Sequence, residues 1–222
     1  MASDFPGRPR LLKGALVVFE ASVPVPTNLI AFQFNPDNVT RAFEQQHDPR
    51  DTRRNSGDTM FVLPPTETFR MSVELDAADQ LAEADPIAVA TGLHPTLAAL
   101  ELLLYPSSID LILAKALAVV GSGRVKPGRI PIVLLVWGPL RIVPVRVESV
   151  SVTEEAFDQL LNPIRAKVDL GLRTLTQIEL KTAGPVFGAL SLVNLIAKEA
   201  LARLAPVESV ADIAGSAGIS LT

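Results

Sequence analysis

The sequence contains no cysteine and only two histidines among its 222 residues. Without cysteine, a disulfide framework, a thiol nucleophile and a Cys-ligated zinc or iron–sulfur centre are all excluded. The two histidines, His47 and His94, lie far apart in the chain, and no third histidine exists for a three-histidine metal site. These absences remove several common classes of enzyme.

Aromatic residues and net charge are also scarce. One Trp, one Tyr and nine Phe are present, so Val, Leu, Ile and Ala must build most of the core. The formal net charge of −4 provides no global attraction for nucleic acid. The apolar fraction of 48% argues against disorder, and a mean hydropathy of +0.33 predicts apolar surface that is covered in an assembly.

Targeting and membrane segments are not evident. Met1–Gly7 shows no basic region followed by an apolar stretch, so no secretory signal is expected. The least polar stretch, Thr182–Ala197, is shorter than the about 20 residues that span a bilayer. We therefore expect a buried or partner-packed helix there and no direct membrane insertion.

Alternation of apolar and polar residues predicts a strand-rich chain. The expected strands are Leu16–Phe19, Leu29–Phe34, Val39–Phe43, Thr66–Leu75, Ile130–Trp137, Leu140–Thr153 and Pro163–Thr174. Asn35-Pro36-Asp37-Asn38 has the composition of a type I turn, which would make a hairpin of the second and third strands. The apolar positions change phase near Glu148–Ser149, which predicts a β-bulge.

Helical patterns occur in the middle and at the end of the chain. Leucines recur at helical spacing from Leu93 to Leu104, a second helix is expected from Ser108 to Val120, and a third begins near Gly188. The predicted fold class is α+β and mainly antiparallel β: a split β-barrel with inserted helices and a C-terminal helix. We expect a β-barrel domain over residues 1–182 and a helical extension over residues 183–222.

Candidate chemical sites are few. The polar stretch Glu44–Asp58 has no periodicity and predicts a long loop that serves function or an interface. Its bases Arg50, Arg53 and Arg54 are offset by neighbouring acids, which disfavours nucleic-acid binding. Glu154 and Asp158 are expected on a short helix, where acids favour the helix dipole. We therefore assign no catalytic residue, metal or cofactor and predict that the protein is not an enzyme.

Several segments carry a resemblance when they are taken in order. They are Phe32-Gln33-Phe34-Asn35-Pro36, Arg70–Asp76, Trp137-Gly138, Glu155–Asp158 and Asn162–Val168. This succession resembles the N-terminal tube-like domain of the tube-initiator or LysM-containing baseplate proteins of contractile injection systems, which are phage-tail-like particles. The resemblance covers roughly residues 10–182. A LysM module commonly follows in that family, whereas a helix follows here.

The resemblance implies a tube-type β-barrel that assembles as a hexameric ring between the spike hub and the inner tube and templates tube growth. The implied partners are further copies of the chain, the hub, the inner tube protein and the baseplate wedge proteins. Assembly would take place in the cytoplasm, within a particle that is released or retained.

Two sets of residues follow from this resemblance. The motif residues expected to be structural are Phe34, Asn35, Pro36, Trp137, Gly138, Phe157, Pro163, Arg165 and Ala166. The interface candidates are Arg50, Arg53, Arg54, Arg165 and Lys167. Two other readings stay open at this point: a monomeric β-barrel module that binds a small apolar ligand, and a hydrolase with an unrecognised site.

Overall fold

A computed structural model of the chain describes residues 12–20, 25–47, 62–119 and 130–204. In these ranges, seven strands form one antiparallel sheet with the order β2-β1-β5-β6-β7-β4-β3. The strands are β1 (Ala15–Phe19), β2 (Pro26–Ala31), β3 (Val39–His47), β4 (Val62–Asp76), β5 (Ile132–Val136), β6 (Ile142–Phe157) and β7 (Pro163–Thr174). The predicted class, α+β with mainly antiparallel strands, is confirmed.

Helices lie between β4 and β5 and after β7, as predicted. Their bounds are α1 (Ala78–Ala82), α2 (Pro86–Thr91), α3 (His94–Glu101), a 3-10 turn (Leu102–Leu104), α4 (Ser108–Val119), α5 (Gln177–Ala183) and α6 (Pro185–Arg203). Local chemistry fixes several of the starts. Asp85 accepts hydrogen bonds from the backbone N–H groups of Ile87 and Ala88 and so caps α2. Thr176 and Glu179 form a capping box at the start of α5.

The main core lies between one face of the sheet and α3. Alternate residues of β4 and β7 are buried there: Phe69, Met71, Val73, Leu75, Ala166, Val168, Leu170 and Leu172. Leu97 and Leu100 of α3 pack against the same cluster. The faces of these two strands are therefore as the alternation predicted, since side chains of a strand point alternately to its two sides.

The predicted bulge in β6 is confirmed. The pairing with β7 shifts register between Val147 and Ser149. Val143, Val145 and Val147 are buried before the shift, and Val150 and Val152 pack against the same core after it. One extra residue thus keeps the apolar side chains of a long strand on one face.

The predicted hairpin of β2 and β3 is wrong. β2 pairs with β1 and β3 pairs with β4, so the two strands are the opposite edges of the sheet. Residues 32–38 connect them, and such a segment spans at most about 25 Å. The two edges must therefore approach each other at this end. The sheet is rolled, although it is not closed.

The predicted polar loop was also wrong in its first part. Glu44–His47 belongs to β3, because its backbone pairs with the first half of β4 (Gln46 with Leu63, His47 with Val62). Backbone hydrogen bonding to a neighbouring strand is independent of side-chain polarity, so the polar composition misled the prediction. Residues 48–58 lie outside the described part of the chain.

Candidate assembly surfaces

The segment between β2 and β3 is fixed by two amide side chains. Gln33 donates from Nε2 to the backbone oxygen of Asp76 at 2.7 Å, and the Asp76 N–H donates to Gln33 Oε1 at 2.9 Å. Asn35 Oδ1 accepts from the Gly14 N–H, and its Nδ2 donates to the Leu12 oxygen, each at 2.8 Å. The two amides therefore tie this segment to the end of β4 and to the residues before β1.

Trp137 and Gly138 directly follow β5 and lie beside this segment. Trp137 is half-buried, and its ring centroid lies 6.3 Å from that of Phe32. A Cβ on Gly14 would come within 2.7 Å of the Trp137 ring, so only glycine allows this approach. Gly138 has a φ of 74°, which turns the chain from β5 toward β6. The predicted Trp-Gly motif is thus a packing and turn element.

The tip of the β6–β7 hairpin is organised by one carboxylate. Asp158 accepts from the backbone N–H groups of Leu160 and Asn162 and from the Asn162 side chain, at 2.7–2.8 Å. The Asn162 side chain is the main cause that lowers the pKa of Asp158, since it stabilises the ionised form. The expected short helix with Glu154 and Asp158 is wrong, because Glu154 lies in β6 and Asp158 in this turn.

Two residues of the hairpin motif differ in exposure. Pro163 is buried, and its carbonyl oxygen would lie 2.4 Å from a Cβ on Gly92, so the hairpin packs tightly on the turn before α3. Phe157 is 48% exposed. Phe34, in the motif that also contains Pro36, is 52% exposed. These two phenylalanines are free to contact a neighbour.

The second face of the sheet is polar. Arg165 donates to Asp76 Oδ2 at 2.7 Å, and Lys167 stands opposite Glu74 in the register of β7 and β4. The Asp76 pKa is lowered first by the Ala78 N–H and then by Arg165. A groove of about 520 Å³ follows this face and is lined by Lys13, Gln33, Phe34, Asn35, Pro36, Asp37, Asn38, Ser72, Glu74 and Lys167. Ala166, between the two bases, is buried in the core.

A network of charges ties α5 to the sheet. Arg173 donates to both oxygens of Glu179 at 3.0 and 3.2 Å and also binds Glu148, while Arg146 lies 3.1 Å from Glu179. Burial raises the pKa of Glu179, but the hydrogen bonds from Arg173 and Thr176 outweigh this and hold it at about 2. The C-terminal helices therefore start from a rigid polar anchor.

A second anchor joins α6 to the edge of the sheet. Glu67 of β4 is 3% exposed and lies between two cations. Lys198 Nζ of α6 donates to Glu67 Oε2 at 2.6 Å, and Arg41 pairs with Glu67 Oε1. Both cations also lie over the ring of Phe43, at 5.4 and 5.1 Å from its centroid. A buried carboxylate thus fixes the direction of the last helix.

The helices α4 and α6 leave much apolar surface uncovered. α4 buries no side chain, and of α6 only Phe187 is buried. Among the described residues, most of the stretch within Thr182–Ala197 is therefore not buried as expected, and the partner-packed alternative stays a prediction. By length and composition α6 is apolar enough to cross a bilayer, a property that helices in protein cores also have.

The described residues 12–20, 25–47, 62–119 and 130–204 contain no group of three or more His, Asp or Glu side chains that could hold a metal ion. The interface candidates Arg50, Arg53 and Arg54 lie outside these ranges. The structure brings Arg165 and Lys167 together on the polar face. It places Trp137 and Gly138 beside the segment that contains Phe34, Asn35 and Pro36.

The comparison with protein families decides the class. The family model of the contractile injection system tube protein matches residues 19–183. The chain belongs to this family. The resemblance to tube-type proteins of contractile injection systems is confirmed. No curated protein matches the sequence.

The strand-rich part of this tube-family chain, from the end of β1 to the end of α5, lies within the match, whereas α6 lies after it. The domain boundary at residues 182/183 stays a prediction. The functional roles proposed for the motif residues also stay predictions, because the structure shows where they lie but not what they bind.

Sequence reasoning missed the residues that anchor this tube protein's elements to one another. Gln33 was part of a motif but was not singled out, and Glu67 and Glu179 were not named at all. A signal for Glu179 was present, since Thr176 and Glu179 have the spacing of a capping box. For Glu67 no local signal exists, because its partner Lys198 is 131 residues away.

Proposed function

We propose that this protein is a structural ring component of a contractile injection system baseplate, without catalytic activity. The ring would join the spike hub to the inner tube and template tube assembly. The observation that carries the proposal is the family match over the rolled seven-stranded sheet. The proposed setting is the cytoplasm, where the particle would assemble before it is released or retained.

The shape of the sheet supports assembly into a ring. Its two edge strands, β2 and β3, have no further strand beside them in the described ranges, and an exposed edge is a place where another chain can add. A ring of like subunits removes such edges by repeating one contact. We propose a hexamer, as the resemblance implies.

The C-terminal helices support a position at the end of the tube rather than within it. Along the tube axis, a subunit inside a uniform tube has copies of itself on both sides, whereas a subunit at the junction has a different protein on one side. α6 lies after the matched region and exposes apolar side chains. It therefore provides surface beyond what the tube-type domain requires, and we propose that hub or wedge proteins bind in this region, at exposed side chains such as Leu192 and Leu195.

The alternative of a monomeric module for an apolar ligand receives no support from the concave surfaces. The groove of about 520 Å³ is lined mainly by charged and amide side chains. Ligand pockets for apolar molecules are lined predominantly by hydrophobic side chains. For the hydrolase alternative, the described residues provide no group of three or more His, Asp or Glu side chains that could hold a catalytic metal ion.

The test is reconstitution. The purified chain is examined by negative-stain microscopy and native mass spectrometry, alone and with the hub and tube proteins of the same contractile injection system. We expect rings that bind the hub on one side and shorten the lag of tube polymerisation. A persistent monomer, or a ring that has no effect on the lag, contradicts the proposal.

A further inference from the structure

The helix α6 has two different faces. One is attached to the sheet through buried Phe187, whose ring centroid lies 5.3 Å from that of Phe19, and through Lys198. On the other face Val186, Ala189, Val193, Ile196 and Ala200 recur at alternating intervals of three and four residues. This spacing places them in one stripe along the helix. The three larger side chains are 51–61% exposed.

The helix α4 carries a stripe of the same kind. Ile109, Ile112, Ala116 and Val119 follow one another at intervals of three, four and three residues. Ile109 is 73%, Ile112 67% and Val119 87% exposed. Within the part of the chain that the structure describes, two stripes are therefore uncovered, one on α4 and one on α6, which we name the α4 stripe and the α6 stripe.

We infer that the α6 stripe of one copy packs against the α4 stripe of the next copy. This contact rests on the proposed ring and names the surfaces that would hold neighbouring subunits together. Both stripes place alanine between larger side chains, so the ridges of one helix can enter the grooves of the other. A spacing of three and four residues is the pattern that packs against a second helix.

The presence of two different stripes favours pairing of α4 with α6 over pairing of each helix with the same helix of another copy. If α4 paired with α4 and α6 with α6, each chain would make two separate two-fold contacts, and neighbouring copies would point in opposite directions, unlike the subunits of the proposed ring. Pairing of α4 with α6 uses both stripes in one repeated, head-to-tail contact, which closes into a ring when the rotation allows it.

A protein helix also fits the α6 stripe better than a bilayer does. Lys198 lies within the helix and is tied to buried Glu67, and Arg203 lies in its last turn. A bilayer-spanning α6 would leave Glu67 without Lys198 and place Lys198 and Glu199 inside the membrane, which is costly. A stripe contact leaves the pair with Glu67 intact.

The contact is too small to hold a ring by itself. A stripe of this length covers several hundred Å² on each copy, against about 800 Å² per partner in a stable interface. It therefore adds to the other contacts of the ring. One charge placed in a stripe should weaken assembly without unfolding the subunit.

The first experiment uses the absence of native cysteine. Ala116→Cys and Ala200→Cys are made singly and together in the full chain and treated with a bis-maleimide that tolerates an offset of one helical turn, about 5.4 Å. The double variant should give a ladder of covalent multimers, and an equimolar mixture of the two single variants should give dimers. Each single variant alone should stay monomeric on a denaturing gel.

Other occupants give other results, and each overturns the inference. Dimers from one single variant indicate like-with-like pairing. A cross-link within one chain assigns the α6 stripe to that chain's own α4. Protection of Ala200→Cys from the maleimide that is lost on deletion of residues 205–222 assigns the stripe to that segment of the same chain. Flotation of the protein with vesicles of neutral phospholipid, with no ladder in solution, assigns α6 to a bilayer.

The second experiment compares matched alanines on the same helices. Ala116 and Ala118 are both exposed on α4, and Ala200 and Ala202 are both exposed on α6, but only Ala116 and Ala200 lie in the stripes. Ala116→Glu or Ala200→Glu should weaken assembly at least about tenfold, since a charge in an apolar contact is disfavoured. Ala118→Glu and Ala202→Glu should assemble normally. Equal effects within either pair contradict the inference.

The outcomes separate this inference from the proposed function. Rings in the microscope without a covalent ladder contradict the stripe contact and leave the ring proposal standing. A ladder without rings supports the contact and contradicts the ring. A monomer that gives neither contradicts both.

Discussion

Gln33 and Asp76 exchange two hydrogen bonds, so that one amide side chain pairs with the backbone of β4 as a neighbouring strand would. Gln33 lies in the segment between the two edge strands of the sheet, and Asp76 ends β4. Together with Asn35, which bonds to the segment before β1, this pair holds the rolled sheet where backbone pairing stops. We therefore predict a structural role for the segment Phe32–Pro36.

Gln33→Ala should lower the free energy of unfolding by about 1–3 kcal/mol, because it leaves two backbone groups of Asp76 without their partners. Urea unfolding followed by circular dichroism measures the change. Gln159→Ala is the control, since Gln159 is exposed in the β6–β7 turn. Equal stabilities of the two variants would show that the hydrogen bonds of Gln33 do not stabilise the rolled sheet.

Gly14→Ala should destabilise the protein by about 1–3 kcal/mol, because the new methyl group would lie 2.7 Å from the Trp137 ring and 2.8 Å from the Phe32 ring. Gly188→Ala is the matched control in α6, where an added Cβ meets nothing within 4 Å. That change should stabilise the helix by about 0.5–1 kcal/mol. Thermal unfolding of both variants tests whether Gly14→Ala lowers the stability and Gly188→Ala raises it.

Val168→Asp should destabilise the protein by about 3 kcal/mol or more, because Val168 is fully buried and a carboxylate there has no partner. Lys167→Asp, one residue earlier on the polar face, should cost no more than about 1 kcal/mol. Soluble expression and urea unfolding distinguish the two. Similar losses in both variants would mean that the faces of β7 are assigned wrongly.

Glu179→Gln should lower the free energy of unfolding at pH 7 by about 1–3 kcal/mol, because Arg173 and Thr176 lose a charged acceptor. The Glu179 pKa is held at about 2 in the folded protein against 4.5 ordinarily. Its contribution is therefore present above pH 4.5 and is lost as the pH falls toward 2. The free energies of unfolding of both proteins should converge over this interval. A difference that is as large at pH 2 as at pH 7 contradicts the assignment.

Arg165→Glu should leave the subunit folded and weaken ring formation. Arg165 is 57% exposed, so losing its solvent-screened pair with Asp76 should have little effect on the stability of the subunit. Arg165→Gln removes the charge without adding a carboxylate beside Asp76 and is the matched control. Size-exclusion chromatography measures assembly. An unfolded variant, or a ring that forms with unchanged affinity, would remove Arg165 from the proposed interface.

Local patterns predicted the strands well where the periodicity was strict. The buried residues of β4 and β7, the bulge after Val147 and the inserted helices all follow from which side of a strand or helix each residue occupies. The segments that carry the resemblance to the tube family were also visible in the sequence. These features depend on neighbours within a few residues, which a single sequence shows directly.

Pairing between distant segments could not be predicted in the same way. Asn35-Pro36 suggested a tight hairpin, yet Asn35 bonds to Leu12 and Gly14 instead. Glu44–His47 looked like a loop because it is polar, yet its backbone pairs with β4. In both cases the decisive partner comes from a distant part of the chain, where no local propensity reports it.

By itself the sequence determined which chemical groups this protein has available for a function. It provides no thiol and few histidines, and it spends its apolar residues on alternating strands and helical stripes, which suits assembly. Only the tertiary structure decided that the sheet rolls with β2 and β3 as its edges, that Glu67 and Glu179 anchor the last two helices, and that α4 and α6 keep apolar stripes exposed. Those outcomes depend on contacts between residues far apart in the chain, where geometry rather than local pattern selects the partner.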